Sequence, residues 1–115
     1  MRPGKALWLF GTALLALGLA PDVEANDYPT AARADYVFGC MASNGQSQDA
    51  LNRCSCSIDV IASLLPYERY VQAETVIRMR QVGGEKTAMF RDTPTSKEIL
   101  GDLRRAQAEA EIRCF

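Results

Sequence analysis

Apolar residues in this chain recur at the spacing of an α-helix over most of its length. Between Pro29 and Ser43, apolar residues at positions 36, 37, 40 and 41 share one helical face, which predicts a first helix. A second helix is predicted after Ser47, because serine is a favoured N-cap residue and Asp49 then lies in the positively polarised first turn. Apolar residues on two of its faces place this helix between its neighbours: Leu51, Cys54, Ile58, Ile61, Ala62 and Leu65 on one face, and Cys56, Val60 and Leu64 on the other.

Glycine and proline mark the boundaries that follow. Asn44-Gly45 comes directly after the first helical pattern and is typical of a helix end. Pro66 interrupts the second pattern and begins a third helix, which continues to about Val82 and ends at Gly83-Gly84. The residues of the third helix predicted to be buried are Tyr67, Tyr70, Val71, Val76 and Ile77.

A fourth helix is predicted in the C-terminal part of the chain. Thr95 and Glu98 have the spacing of a capping box at its start. Its alanines permit close approach to the second helix, and its apolar positions are Ile99, Leu100, Leu103, Ala106, Ala110 and Cys114. No run of alternating β-branched residues is long enough to predict a strand. The pattern therefore predicts an all-α bundle of three to four helices.

Residues 1–25 have the three parts of a secretory signal peptide. Arg2 and Lys5 precede an apolar run over residues 6–20, and Val23-Glu24-Ala25 provides a cleavage site. The alternative, an uncleaved anchor, is disfavoured because a spanning helix needs roughly 20 apolar residues. We therefore expect a soluble periplasmic product, residues 26–115, with no membrane association after cleavage.

The four cysteines, Cys40, Cys54, Cys56 and Cys114, all follow the signal, and an oxidising compartment favours two disulfides. Helical positions two apart differ in direction by about 200°, so Cys54 and Cys56 are not expected to bond to each other. We favour Cys40–Cys54, across a short polar loop, together with Cys56–Cys114. The exchanged pairing, Cys40–Cys56 and Cys54–Cys114, remains open.

Composition excludes several functions. The chain has no histidine, which removes Ser-His-Asp and Cys-His hydrolases and covalent haem attachment through C-x-x-C-H. A formal net charge of −1 without a basic face argues against nucleic-acid binding. No cofactor and no metal site are predicted. Five carboxylates are candidates for the acid pair of a glycoside hydrolase and are better explained as a solvated helix face: Asp59, Glu68, Glu74, Glu109 and Glu111.

Four residues are candidates for contact with a partner. Tyr67 and Tyr70 cluster at the start of the third helix, where core packing is the default and an interface anchor is the alternative. Met89 and Phe90 lie between the third and fourth helices, in a segment predicted to expose apolar surface.

Several segments resemble a group of small exported proteobacterial proteins that have a C-x-C motif and no assigned activity. They are Tyr36-Val37-Phe38-Gly39-Cys40-Met41, Arg53-Cys54-Ser55-Cys56-Ser57-Ile58-Asp59, Leu65-Pro66-Tyr67-Glu68, Phe90-Arg91-Asp92 and Arg113-Cys114-Phe115. This resemblance implies an association with periplasmic alcohol-oxidation systems. In layout alone, the cysteine positions are similar to those of periplasmic helical immunity proteins, which neutralise peptidoglycan-cleaving toxins.

The sequence thus favours a non-enzymatic periplasmic binding or accessory protein, serving an exported oxidoreductase system, with a partner protein of unknown identity. One alternative is a thiol-redox or copper-handling factor that uses Cys54 and Cys56, since thiolates bind Cu(I) and exchange disulfides. Another is an inhibitor of the immunity-protein type.

Overall fold

The computed structural model describes Gly18, residues 27–85, Met89 and residues 92–115. These residues form an α-helical bundle with four helices and no strand: α1 (Thr30–Asn44), α2 (Gln48–Leu64), α3 (Tyr67–Gln81) and α4 (Pro94–Cys114). The all-α prediction is confirmed. The predicted signal peptide, residues 1–25, lies outside the described residues apart from Gly18.

Local chemistry explains most of the helix ends. The Ser47 hydroxyl accepts a hydrogen bond from the Ala50 amide at the start of α2, as predicted. Gly45 ends α1 at a φ of +99°, a backbone conformation in which glycine is favoured because it lacks a Cβ. Pro66 stands at the N-cap of α3, where its missing N–H costs no helical hydrogen bond.

The predicted start of α4 is wrong by about two residues. Thr93, rather than Thr95, is the N-cap, and its hydroxyl accepts a hydrogen bond from the Ser96 amide at 3.1 Å. Pro94 then occupies the first helical position, which suits its fixed φ. A threonine followed by proline therefore marks the start of this helix better than the capping-box spacing of Thr95 and Glu98 does.

The helices pack in the spatial order α1, α2, α4, α3. α2 contacts α1 on one side and α4 on the other, which confirms its predicted central position, and α3 packs mainly against α4. Small side chains on α4 allow its close approach, because Ala106 and Ala110 are both buried. The core cluster consists of Tyr28, Ile58, Ile61, Ala62, Leu65, Tyr70, Ala73, Leu103, Ala106 and Ala110.

Both favoured disulfides are present. Cys40–Cys54 joins α1 to α2 with 5.8 Å between the Cα atoms, and Cys56–Cys114 joins α2 to the end of α4 with 5.7 Å. The two bonds leave α2 in different directions, as the angle between neighbouring helical positions requires. They tie the three-helix layer α1–α2–α4 into one unit.

Tyr28 closes the bundle where α2 meets α3, although it precedes the first helix. Its side chain is 3% exposed, and its hydroxyl donates a 2.7 Å hydrogen bond to the Leu65 carbonyl. That carbonyl lies at the C-cap of α2, where helical partners run out. The hydrogen bond therefore anchors the segment before α1 to the α2–α3 corner.

Three residues predicted to be apolar and inward are exposed. Leu51 and Leu64 on α2 and Val71 on α3 all face solvent for more than a third of their surface. The apolar faces of α2 are covered where they meet α1 and α4, and no described helix covers the rest of its surface. Within the described residues, no helix is long and apolar enough to cross a membrane.

Candidate partner-binding site

The predicted tyrosine candidates belong mainly to the core. The ring centroids of Tyr67 and Tyr70 lie 5.1 and 5.2 Å from that of Tyr28. Tyr70 is only 7% exposed, and burial raises its pKa above the ordinary value of a phenol. Tyr67 is half-buried. Tyr67 alone of this pair therefore offers part of its ring to solvent.

The second pair of candidates is described only in part. Met89 is 76% exposed, which agrees with the expected apolar surface between α3 and α4. Phe90 lies outside the described residues.

The four cysteine sulfurs are engaged in the two disulfides, and none of the four is a free thiol. Cys54 is fully buried, whereas Cys56 is partly accessible. In this oxidised state the C-x-C segment presents no thiolate, so Cu(I) binding would first require reduction, and disulfide exchange would require attack by the thiolate of another protein on one of the two disulfides. Among the described residues, no three His, Cys, Asp or Glu side chains converge as a metal site.

The acidic side chains considered for hydrolysis are tied to neighbouring arginines at two positions. Asp59 accepts a hydrogen bond from Arg33 at 2.6 Å, and Glu109 accepts one from Arg113 at 2.9 Å. Glu68, Glu74 and Glu111 lie on the surfaces of α3 and α4. These contacts agree with the interpretation of the carboxylates as a solvated helix face.

An apolar groove lies between α1 and α2 and was not predicted. Its volume is about 470 Å³, and its walls combine Ala34, Val37, Phe38 and Met41 of α1 with Leu51 and Ile58 of α2. Phe38 stands at the rim with 78% of its surface exposed, an unusual position for an aromatic ring of this size. The groove therefore offers apolar surface to another molecule.

Two covalent or ionic connections fix the walls of the groove relative to each other. Cys40–Cys54 crosslinks α1 to α2 at one end, and the Arg33–Asp59 ion pair spans the same helices at the other. Between them, the Tyr36 hydroxyl is 3.3 Å from the Ser57 hydroxyl. The groove is therefore formed before any ligand arrives, which lowers the entropy cost of binding.

The sequence contained a signal for this groove. Residues 34, 37, 38 and 41 follow the i, i+3, i+4, i+7 spacing of an apolar stripe. The predicted apolar face instead groups Val37 and Met41 with Tyr36 and Cys40, and Phe38 is not part of it. Two apolar stripes therefore overlap on α1. The stripe with Tyr36 and Cys40 lies against α2, and the stripe with Ala34 and Phe38 lines the groove.

A second groove, between the α2–α3 corner and α4, is charged. It is lined by Arg69, Arg105 and Arg113 together with Asp102 and Glu109, and has a volume of about 510 Å³. Asp102 pairs with both Arg69 and Arg105, and Glu109 pairs with Arg113. Each of these arginines is thus already paired with an acid of α4, and Asp102 is shared between two of them, which makes this groove a weaker candidate for recognition.

Comparisons with known proteins add no relative: no protein-family model, no curated protein and no solved structure matches this chain.

Proposed function

We propose that this chain is a non-enzymatic, exported accessory protein that binds a partner protein through the α1–α2 groove. The observation on which this rests most is Phe38, which exposes 78% of its surface beside an apolar groove on a crosslinked helical hairpin. Large apolar surfaces on small domains mark interaction sites, and aromatic residues are enriched at the centres of interfaces.

The chemistry of the chain supports a binding role more than a catalytic one. Histidine is absent from the sequence. The acidic residue that lines the groove is Asp59, and it is paired with Arg33. A non-enzymatic partner needs a rigid surface, and the two disulfides and the ion pair provide it.

Export to the periplasm agrees with the state of the cysteines. Two disulfides are favoured outside the reducing cytosol, and residues 1–25 have the pattern of a signal peptide. The resemblance of the cysteine segments to small exported C-x-C proteins implies that the partner belongs to an exported oxidoreductase system.

Site-specific photocrosslinking in the native host tests this function. A benzophenone amino acid is placed at position 38 in one variant and at position 112 in another. Ile112, on α4, is the matched control because it is 79% exposed, as Phe38 is. We expect one dominant crosslinked protein from position 38, a component of an oxidoreductase system, and no such product from position 112.

Two results would contradict the proposal. One is the same weak set of products from both positions, which indicates non-specific contact. The other is the absence of any position-specific product across growth conditions. A dominant product that is a peptidoglycan-cleaving enzyme would favour the inhibitor role instead.

Thiol alkylation of the native periplasmic protein separates the binding role from the redox or copper role. Intact mass under denaturing, metal-chelating conditions is expected to show no alkylated cysteine, since both disulfides are closed. Two or four alkylated cysteines would show that thiols are available in the cell and would favour the thiol-based function.

A further inference from the structure

The charged side chains that line the α1–α2 groove are Arg33 and Asp59, and the carboxylate is the more accessible of the two. The Arg33 side chain is 25% exposed, whereas the side chain of its partner Asp59 is 68% exposed. The most accessible charged atoms at the groove are therefore the carboxylate oxygens of Asp59.

Asp59 keeps the capacity to accept a further hydrogen bond. Its Oδ1 accepts from Arg33, while its Oδ2 makes no hydrogen bond or ion pair within the described residues. An ionised carboxylate has about four acceptor positions, so a second cation can bind without displacing Arg33.

The other basic residue of the α1–α2 hairpin points away from the groove. Arg53 pairs with Asp49 at 2.9 Å, and its guanidinium lies 5.8 Å from the centre of the Phe115 ring. Among the described residues, Arg33 is therefore the basic side chain that lines the groove, and Asp59 already pairs with it.

The shape of the groove suits an α-helix. It follows α1 from Thr30 to Met41, a length of about 16 Å or three helical turns. Ala34 on the α1 wall is small and exposed, which allows another helix to approach closely. Phe38 and Leu51 stand on the two rims, where they can pack against the sides of a helix placed between them.

We infer that the groove binds an amphipathic α-helix of the partner protein, with an apolar stripe facing Val37 and Ile58 and a lysine or arginine beside Asp59. This inference rests on the proposed function and specifies the chemistry of the partner. Helix-in-groove recognition uses anchors at i, i+3, i+4 and i+7, and the apolar length of the groove accommodates such a set.

Two synthetic peptides test the inference on the full mature protein. Both are 14-residue fluorescent helices with leucine at i, i+3, i+4 and i+7, and they differ only in flanking lysine or flanking glutamate. Fluorescence anisotropy is expected to show the lysine peptide binding about fivefold more tightly, with the difference shrinking at high salt.

Protein variants assign this binding to the groove. Phe38→Ala is expected to weaken the lysine peptide about tenfold, while the equally exposed control Ile112→Ala leaves it unchanged. Asp59→Asn is expected to remove the preference for lysine and to retain binding of the apolar stripe. Circular dichroism checks that each variant keeps its helices.

Four outcomes would overturn the inference. Equal binding of the two peptides, or equal effects of the variants at positions 38 and 112, would show non-specific apolar adhesion. Failure of both peptides together with dimerisation that Phe38→Ala abolishes would assign the groove to a second copy. Failure of both peptides with a specific crosslinked partner at position 38 would overturn the helical occupant and leave the proposed function standing.

Discussion

The hydrogen bond from Tyr28 to Leu65 gives a sharp test of how this small bundle is held together. Tyr28→Phe removes one hydroxyl and keeps the ring that packs against Tyr67 and Tyr70. The Leu65 carbonyl then loses its partner in a buried position, since Leu65 is itself buried. Leaving a buried acceptor unsatisfied costs about 1–3 kcal/mol of the free energy of unfolding.

Urea unfolding followed by circular dichroism measures this loss. At a urea m value of about 1 kcal/mol/M, a loss of about 2 kcal/mol lowers the unfolding midpoint by about 2 M. Tyr28→Ala also removes the ring and is expected to cost more, about 3–5 kcal/mol, as large aromatic deletions from cores do. For a domain of this size, that is a large part of the total stability.

Tyr67→Phe is the matched control, because it removes the hydroxyl of a ring in the same cluster. Within the described residues the Tyr67 hydroxyl makes no hydrogen bond, so we expect a change below about 0.5 kcal/mol. If Tyr28→Phe is no more destabilising than Tyr67→Phe, the anchoring role assigned to the Tyr28–Leu65 hydrogen bond is refuted.

The same pair of proteins gives a pH prediction. Burial raises the pKa of Tyr28 from 10.0 to about 12; the charge of Arg33 opposes this shift, and Tyr67 adds to it. The unfolded phenol therefore ionises first, so its stabilising contribution is complete below pH 10 and is lost as the pH rises towards 12. The stability difference between wild type and Tyr28→Phe should shrink between pH 10 and pH 12 in urea titrations. A difference that stays constant over this interval would contradict the assignment.

Three further predictions use the same unfolding assay. Replacing Cys56 and Cys114 by alanine opens a loop of 58 residues and should lower the free energy of unfolding by about 4 kcal/mol. Replacing Cys40 and Cys54, which are 14 residues apart, should lower it by about 3 kcal/mol. The reverse order would show that packing outweighs chain entropy. Thr93→Ala should lower the free energy of unfolding by about 1 kcal/mol because it removes the N-cap of α4, whereas Thr95→Ala should leave it unchanged. Equal effects of the two variants would contradict Thr93 as the N-cap. Gly39→Ala should stabilise the protein by about 1 kcal/mol, since a Cβ there meets nothing within 4 Å inside a helix; a destabilised variant would refute this.

The four helices could be predicted from local chemistry, and so could the fact that Cys54 and Cys56 do not bond to each other. Ser47 and Pro66 act on the backbone within one turn, so their effects on helix ends can be read without knowledge of the fold. The angle between helical positions two apart likewise prevents Cys54 from bonding to Cys56 in any arrangement of the bundle. The start of α4 was mistaken because two threonines with competing cap signals stand close together, and only the Thr93 hydroxyl reaches an amide in the structure.

The choice of partner for each cysteine required the tertiary structure. From the sequence, Cys40 and Cys114 were both available to either side of α2, and the favoured pairing was one of two. Packing decided it, because α1 lies against one side of α2 and the end of α4 against the other.

What the sequence by itself determined, then, are the properties set within a few residues: helices, their caps, and the divergence of the C-x-C pair. Only the tertiary structure decided which apolar stripes are covered. The stripe that contains Phe38 and the stripe that contains Tyr36 have the same local character, but α2 covers one and no described helix covers the other. Tyr28 shows the same limit, since its partner Leu65 is 37 residues away along the chain. Burial and long-range hydrogen bonds depend on where other helices lie, and the hydrophobic period of a single helix does not contain that information.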